Sequence, residues 1–362
     1  MQIADRLYGC FEVEGVLADL VRSAPVQRLK RIHQGGAGCL VKPEWNVTRY
    51  EHSVGVMLLI RRLGGSLEEQ IAGLLHDVGH TAFSHVVDYV YGEGKENLHE
   101  RWHRRIWQES EIYAILRKHG FHPESILSGN WTLLEKPLPD LSADRIDYTL
   151  RDRVRYGGLS LSEVERFLGD LSVGPEGIGV SSLEMAEWFV DRYVEEVIDF
   201  FLDPLNAYAQ LTLAEAIRRS LDIGLLRFDD WFLDDGQVIQ KMRTGGDEHV
   251  SALLDRLREG IRVEEAEQAA GLHFRSKPRM VDPLIYRSDP PGAVRASAVS
   301  ERVPPGRLQT ISKKWRCEEG GVPLSAFAIA TKRSGTPPSA SDGLFHNAKK
   351  VGDTIFRLGS MQ

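Results

Sequence analysis

The chain has 362 residues, 42% of them hydrophobic, which predicts a folded protein with a substantial core in one large or two smaller domains. Its 52 acidic and 45 basic residues give a net charge of −7, which argues against a surface built for broad nucleic-acid binding. The three cysteines are far apart in sequence, so they predict neither a disulfide framework nor a thiolate metal site.

The first residues contain no basic segment followed by an apolar core, as a secretory signal would require. No uninterrupted run of about 18 apolar residues occurs. We therefore expect a soluble protein of the cytoplasm that does not enter a membrane.

The chain opens with a short extended piece around Gly9 and Gly15, followed by a helix whose apolar residues begin at Val16. A basic helical segment is predicted for residues 25–34. The glycine-rich run at 35–38 ends it.

The next two helices carry the most unusual polar residues of the chain. The first contains His52 and is predicted to stop at the glycines 64–65. Ser66 and Glu69 predict a capping box for the second helix. That helix ends at the adjacent residues His76–Asp77.

Gly79 is expected to break this helix and turn His80 back toward the preceding residues. After Thr81 the pattern is helical again. His85 and Asp88 are three positions apart and should share a face of this helix.

Later elements are a hairpin turn at Pro175–Gly177 and a long helix capped by Ser181 with Glu184, followed by a helix over 206–222. Beyond residue 224 the pattern weakens. Residues 248–259 and 263–270 are predicted helical, residues 275–305 resemble an excursion rich in proline, serine and arginine, and residues 334–341 have the composition of a linker.

Four side chains from these elements are candidates for a divalent metal site. An adjacent His-Asp pair such as His76 and Asp77 presents two ligand types to one point, because neighbours on a helix diverge by about 100°. One further histidine and one further carboxylate would complete the site, and His52 and Asp144 are the candidates. The alternative is a buried His-Asp hydrogen-bond network without metal.

The order His, His-Asp, Asp resembles that of the HD-domain phosphohydrolases. Three segments extend the resemblance to the branch that contains the deoxynucleoside triphosphate triphosphohydrolases, namely Arg49–Val56, His76–His85 and Asp144–Tyr148. The resemblance implies a mostly α HD-domain helical fold with minor short β hairpins. It also implies one divalent ion, and the two imidazoles and two carboxylates do not decide among Mn²⁺, Mg²⁺, Fe²⁺, Co²⁺, Ni²⁺ and Zn²⁺.

The resemblance predicts an HD phosphohydrolase domain over residues 1–223 with its core at about 45–155. Residues 224–362 are expected to form a mixed helical and irregular region. Since relatives in the family are oligomers, the resemblance also implies a homo-oligomer.

Polar groups beyond the four ligands either support those ligands through hydrogen bonds or are catalytic. By resemblance, His99 acts as acid and base and is oriented by Asp88, while His80 and His85 lie against the phosphate. A histidine suits this role because its pKa lies near neutrality. For His99 the alternative is a surface histidine outside the site.

Five residues are predicted to bind substrate. Arg49 and Arg145 are candidate phosphate clamps, because a guanidinium offers a planar fork to phosphate oxygens, although each could instead orient a nearby aspartate. Gln34, Tyr148 and Asp152 match positions that hold the sugar in the family.

The nucleoside end departs from the family pattern. Gln34 is followed directly by Gly35, and Phe201 and Asp203 stand where the family has tyrosine and histidine. A late segment, Lys277–Pro283, weakly resembles a family segment. The expected metal and phosphate machinery is therefore complete, whereas the sugar and base end is altered.

Three functions follow from this pattern. The leading hypothesis is a metal-dependent phosphohydrolase that converts a deoxynucleoside triphosphate to a deoxynucleoside and triphosphate. The second is a phosphomonoesterase for a nucleoside monophosphate or another small phosphoester. The third is a non-catalytic nucleotide sensor or nucleic-acid-binding scaffold, which the arginine-rich stretch 101–105 favours and the net charge of −7 disfavours.

Overall fold

The computed structural model describes residues 1–91, 98–265, 272–275, 279–288, 291–303 and 312–317. The fold is mostly helical with small sheets, which confirms the predicted fold class. None of the helices in these ranges is long and apolar enough to cross a membrane. The linker predicted at 334–341 lies outside the described residues.

Most helices are short, and the longest of those described has 19 residues. In chain order they are α1 (Gly15–Arg22), α2 (Ala24–Arg28), α3 (Arg49–Arg62), α4 (Leu67–Leu75), α5 (Val86–Tyr91), α6 (Leu98–Glu109), α7 (Ile112–Lys118), α8 (Pro123–Leu127), α9 (Ala143–Arg155), α10 (Leu161–Asp170), α11 (Leu183–Glu196), α12 (Pro204–Asp222), α13 (Asp235–Thr244) and α14 (Glu248–Asp255).

The strands form three small sheets. They are β1 (Gln2–Asp5), β2 (Gly9–Glu12), β3 (Leu171–Gly174), β4 (Gly177–Val180), β5 (Val263–Glu265), β6 (Leu272–Arg275), β7 (Leu284–Ser288), β8 (Pro291–Arg295) and β9 (Ser312–Cys317). β1 pairs with β2, the second sheet has the order β3-β4-β7-β8, and the third has the order β5-β9-β6. The β4 and β7 pairing is parallel, and the other pairings between these strands are antiparallel.

Helix α3 lies at the centre of the fold. Thr48 caps its first turn by accepting a hydrogen bond from the Glu51 backbone N–H, and the Glu51 carboxylate accepts one from the Thr48 backbone N–H in return. Ten of its residues are buried, including Met57 and Leu58 with no exposed surface. Because α3 is buried on nearly all sides, its apolar residues need not form a stripe along one face. The neighbours packed around it also fix the positions of its polar side chains.

Helices α4 and α9 pack against α3 and complete the frame of the site. Ser66 accepts a hydrogen bond from Glu69 N, as predicted, but the Glu69 carboxylate bonds Leu133 N rather than completing the capping box. Gly55 of α3 allows close approach of α9, because a Cβ there would collide with Asp147 and Arg151.

Three local predictions differ from the structure. Ser182 rather than Ser181 caps α11, because the Ser181 hydroxyl bonds Ser172 across the hairpin. The predicted helix at 263–270 is wrong over 263–265, which pair with β9 as strand β5; residues 266–270 lie outside the described range. The stretch after Thr81 forms a turn first, and α5 starts only at Val86.

The predicted domain boundary at 223 stays a prediction. Helix α12 ends next to it at Asp222, and α14 packs back on α12. The hairpin of β7 and β8 arises within the stretch expected to be an excursion and adds to β4. The later chain therefore supplies elements that contact the first 223 residues.

Candidate metal centre and substrate cleft

His52 of α3 stands between two aspartates of α9. Its Nε2 lies 3.0 Å from Asp144 Oδ1, and its Nδ1 lies 2.8 Å from Asp147 Oδ1. Nε2 is also 3.8 Å from Asp77 Oδ2. The side chain is 1% exposed, so its orientation is fixed by these partners.

His76 lies just beyond the last residue of α4 and faces the same point. Its Nδ1 lies 2.7 Å from the Gly73 carbonyl oxygen, which can only accept a hydrogen bond, so Nδ1 carries a proton and Nε2 has a lone pair whenever the ring is neutral. Nε2 is buried and has no hydrogen-bond partner among the described residues. It is 3.4 Å from Asp77 Oδ1 and 3.6 Å from Asp144 Oδ1.

A divalent cation fits this arrangement, because the lone pair of His76 Nε2 faces carboxylate oxygens that have no proton to offer it. One ligand atom each from His52, His76 and Asp144 lie within 4.8 Å of one another. Asp77, the fourth predicted ligand, lies beside this group with Oδ2 2.7 Å from Arg49. The assignment of the four residues as ligands remains a prediction.

The charges of the centre are strongly coupled. Burial alone would raise the pKa of Asp77, but Arg49, His76 and His80 hold it well below its usual range. Burial would lower the pKa of His52, and hydrogen bonds to Asp144 and Asp147 raise it instead to about 10. Without metal, His52 is therefore charged at neutral pH, and the negative surroundings that stabilise this proton also suit a metal cation.

Asp147 supports the centre from behind. Its carboxylate accepts hydrogen bonds from Arg151 Nε at 2.9 Å and from the Tyr8 hydroxyl at 2.9 Å. Arg151 also lies 3.0 Å from Asp5. Sequence reasoning did not assign Asp147 a role, although its three-residue spacing from Asp144 places both on one face of α9.

A strained turn fixes Arg49 on the other side. Phe83 and Ser84 have φ values of 58° and 51°, a left-handed conformation that is uncommon outside glycine. Asp235 of α13 accepts a hydrogen bond from Phe83 N at 2.6 Å and thereby holds the turn. Ser84 Oγ in turn accepts from Arg49 Nε at 3.0 Å. Nothing in the sequence pattern pointed to Asp235.

Three of the predicted catalytic residues form a chain that leads from the centre to solvent. His80 Nε2 lies 3.1 Å from Asp77 Oδ1. The His80 and His85 rings have centroids 5.0 Å apart, and His85 Nδ1 lies 3.2 Å from Asp88 Oδ2. The side chain of His99, the fourth, lies outside the described residues.

Arg145 is held by main-chain oxygens. Its Nη1 donates to the Asp140 carbonyl at 2.5 Å, and its Nη2 donates to the Lys136 carbonyl at 3.2 Å. Its Nε is buried with no hydrogen-bond partner in the described part of the chain. The phosphate-binding role predicted for Arg145 remains a prediction.

Two of the predicted sugar-binding residues, Tyr148 and Asp152, lie on α9, and Gln34 lies in the loop before α3. Gln34 Oε1 is buried and has no hydrogen-bond partner among the described residues. The Tyr148 ring is half-buried, with its centroid 5.9 Å from that of Phe201. Asp152 is 3% exposed, and burial first, with Asp147 adding to it, raises its pKa to about 7.

Two departures noted in the sequence acquire a structural explanation. Asp203 caps α12 by accepting hydrogen bonds from Leu205 N and Asn206 N, so its carboxylate serves the fold. Phe201 belongs to a π-helical turn at Val197–Phe201, a rare distortion that is frequent at functional sites.

Two of the arginines of α6 that suggested nucleic-acid binding are engaged with acidic residues. Arg104 lies 3.0 Å from Glu124, and Arg105 lies 2.9 Å from Glu109. Both pairs neutralise the charge that a phosphate backbone would need.

Comparison with known proteins gives matches over most of the chain. The family described as HD domain matches residues 49–152. An uncharacterised protein of Bacillus subtilis, YdhJ, is 49% identical over 84% of this chain and 93% of its own length. The metal-dependent phosphohydrolase cns2 of Cordyceps militaris is 31% identical over 78% of this chain and 84% of its own length.

Two further similarities are more limited. The deoxynucleoside triphosphate triphosphohydrolase SAMHD1 of Bos taurus is 38% identical, but over 24% of this chain and 17% of its own length. The crystal structure of a phosphohydrolase from Bacteroides thetaiotaomicron is 20% identical and covers 88% of this chain and all of its own, with a TM-score of 0.64. This last likeness supports the fold.

Proposed function

The chain belongs to the HD-domain metal-dependent phosphohydrolases, and from that premise we propose that it releases triphosphate from a deoxynucleoside triphosphate. The observation that carries the proposal is the cluster where α3, α4 and α9 meet, in which His76 Nε2 is buried without a hydrogen-bond partner among the described residues and lies 3.4 and 3.6 Å from two carboxylates. We assign His52, His76, Asp77 and Asp144 as its ligands. A divalent cation bound there supplies Lewis-acid polarisation of the phosphoester.

The residues next to the predicted metal ligands are assigned to phosphate binding and to proton transfer. Arg49 fixes Asp77 and brings positive charge to the phosphate side, and His80 and His85 extend along the same side. A histidine near neutral pKa can both take and give a proton, so we assign acid and base action to His99 with Asp88 orienting it. Arg145 is assigned to the phosphates by its neighbouring position to Asp144.

The proposal that the substrate is a nucleotide rests on the residues assigned to its sugar. Gln34 follows His33, whose carbonyl accepts a hydrogen bond from Ser84 Oγ at 2.6 Å, and Ser84 holds Arg49. The buried Gln34 Oε1 therefore lies near the phosphate side with its acceptor unused, which suits a sugar hydroxyl. Tyr148 and Asp152 are assigned to the same sugar. The partial match to SAMHD1 supports this substrate class.

One observation favours the second candidate, a phosphomonoesterase. Phe200 packs so tightly on the main chain beside Gln34 that a Cβ on Gly35 would stand 2.6 Å from its ring. A narrow sugar end suits a smaller phosphoester.

The phosphorus product distinguishes the candidates. Purified protein is incubated with Mn²⁺ or Mg²⁺ and deoxynucleoside and ribonucleoside tri- and monophosphates, and the products are identified by ³¹P NMR. Triphosphate release supports the proposal, and orthophosphate release from monophosphates alone supports the second candidate. Tight nucleotide binding without turnover under any metal would mean that a sensor is the better description.

Two variants test the assigned roles. Asp77→Ala is expected to lose bound metal and activity together, because it removes a predicted ligand. His99→Ala is expected to keep its metal content and lose rate by about 10²-fold or more, the usual scale of acid-base catalysis. Equal turnover in the His99 variant would exclude that residue from the reaction.

A further inference from the structure

Arg279 is brought to the cleft from far along the chain. Its guanidinium carbon stands 4.6 Å from the centroid of the Phe201 ring. Phe201 in turn contacts Tyr148, one of the proposed sugar-side residues, at a centroid distance of 5.9 Å. Arg279 therefore packs on the aromatic pair of Phe201 and Tyr148 at the proposed sugar end of the site.

The charge of Arg279 reaches both sides of the cleft. It interacts electrostatically with His85 on the phosphate side and with Tyr148 on the sugar side. An anion bound next to His85 and Tyr148 would therefore be attracted by the charge of Arg279.

Arg279 differs from the other arginines of the site in its partners. Arg49 is paired with Asp77, and Arg145 is held by carbonyl oxygens. For Arg279, the described residues provide no carboxylate at ion-pair distance, and its contact there is the Phe201 ring. A half-buried arginine without a counter-charge among the described residues is suited to an anion from outside the chain.

The segment that carries Arg279 is anchored. Val281 is 1% exposed in the core. Asp282 N donates to the Pro139 carbonyl at 2.9 Å, and the Asp282 side chain accepts hydrogen bonds from Ser297 N and Oγ at 2.9 and 2.6 Å. The position of Arg279 is thus fixed from the side of the loop that leads into α9.

We propose that Arg279 forms an anion subsite for the part of a polyphosphate chain that lies away from the metal centre. This inference rests on the proposed function, since it concerns the same cleft. A polyphosphate chain carries negative charge beyond the phosphate at the metal centre, and a monophosphate does not. Pairing with that further charge would make Arg279 favour nucleoside polyphosphates over monophosphates.

Arg279→Gln tests the subsite because it removes the charge and keeps most of the volume. The matched control is Arg287→Gln, which removes an exposed arginine of β7. We expect Arg279→Gln to raise KM for a deoxynucleoside triphosphate about tenfold or more, with a smaller change in kcat, and to leave KM for a monophosphate within about twofold. Arg279→Lys should restore part of the affinity, and Arg287→Gln should behave as wild type.

Binding of inorganic tripolyphosphate, measured by calorimetry in excess Mg²⁺, separates this inference from the proposed function. If the wild-type protein cleaves no nucleotide but Arg279→Gln alone weakens tripolyphosphate binding, the subsite is supported while the proposed function fails. If nucleotides are cleaved and Arg279→Gln changes neither KM nor tripolyphosphate affinity, the subsite is overturned and the proposed function stands. Far-UV circular dichroism and thermal unfolding confirm that all three variants fold.

Discussion

At the residue scale, the metal centre depends on partners that are not themselves predicted ligands. His52 can present Nε2 to a cation because Asp147 holds its Nδ1 at 2.8 Å. Asp147 is itself 0% exposed and is held by Arg151 and Tyr8. Such outer partners fix the tautomer and orientation of a ligand histidine.

Asp147→Asn is expected to weaken metal binding about 10- to 100-fold, because an amide gives His52 a weaker partner and leaves Arg151 with less negative charge. Calorimetric titration of the metal-free protein with Mn²⁺ measures the change. The control is Asp19→Asn, which alters an ion pair with Lys118 elsewhere on the protein. An unchanged affinity in Asp147→Asn would mean that His52 needs no support from α9.

Individual residues of the site were predictable where chemistry and spacing agreed. The sequence suggested four ligands, and in the structure the side chains of His52, His76, Asp77 and Asp144 are neighbours. Their role as metal ligands stays a prediction. Asp235 was not found, because its role is to hold the turn at Phe83 over a separation of 152 residues. Arg279 was assigned no role, although it lies in the segment Lys277–Pro283 that weakly resembles a family segment.

At the element scale, α9 and α11 bury two carboxyls against each other. Glu196 is 0% exposed and Asp152 is 3% exposed. Burial first, then the Asp152 charge, raises the pKa of Glu196 well above its usual value, and the Tyr156 hydroxyl donates a hydrogen bond to Glu196 Oε1 at 2.9 Å. Asp152 and Glu196 therefore favour the folded state while they are protonated.

The sign of the pH effect follows from these raised pKa values. Between the unfolded carboxyl pKa of about 4 and a folded value near 7, the folded protein binds more protons than the unfolded chain. The contribution of this pair to the free energy of unfolding is therefore present at pH 4 and lost as the pH rises toward 8.

Glu196→Gln should remove much of the loss in unfolding free energy that occurs as the pH rises, since the glutamine amide stays neutral. We expect the variant to gain about 2 kcal/mol over wild type between pH 4.5 and pH 8, measured as the difference in urea unfolding free energy. Glu165→Gln, at an exposed position of α10, should track wild type at every pH. Parallel curves for Glu196→Gln and wild type would mean that the pair does not hold extra protons.

Elements were predictable when local capping and periodicity determined them. The capping of α4 by Ser66 and its end before His76 follow from sequence alone. The strand at Val263–Glu265 does not, because it exists through pairing with β9, about fifty residues later in the chain. The same holds for the parallel pairing of β7 with β4, which joins two segments about a hundred residues apart.

At the scale of the whole molecule, the predicted ligands lie on elements that meet only in the folded state. His52 belongs to α3, His76 and Asp77 follow α4, and Asp144 opens α9. The sequence could predict that they meet because the resemblance supplied the arrangement, whereas periodicity alone fixes no contact between helices. In the structure, the packing of α3 against both α4 and α9 provides the contact between these helices.

A cation that binds these residues together recognises the folded chain and not the unfolded one, so it must stabilise the fold. At a free metal concentration 100 times the Kd, the gain is about 2.7 kcal/mol, which for a chain of this size corresponds to roughly 4 °C in Tm. Thermal unfolding with Mn²⁺ and with EDTA measures this difference, and Asp77→Ala should show almost none. If wild type unfolds at the same temperature under both conditions at saturating metal, the three helices do not share an ion, and the assignment of His52, His76, Asp77 and Asp144 as ligands is wrong.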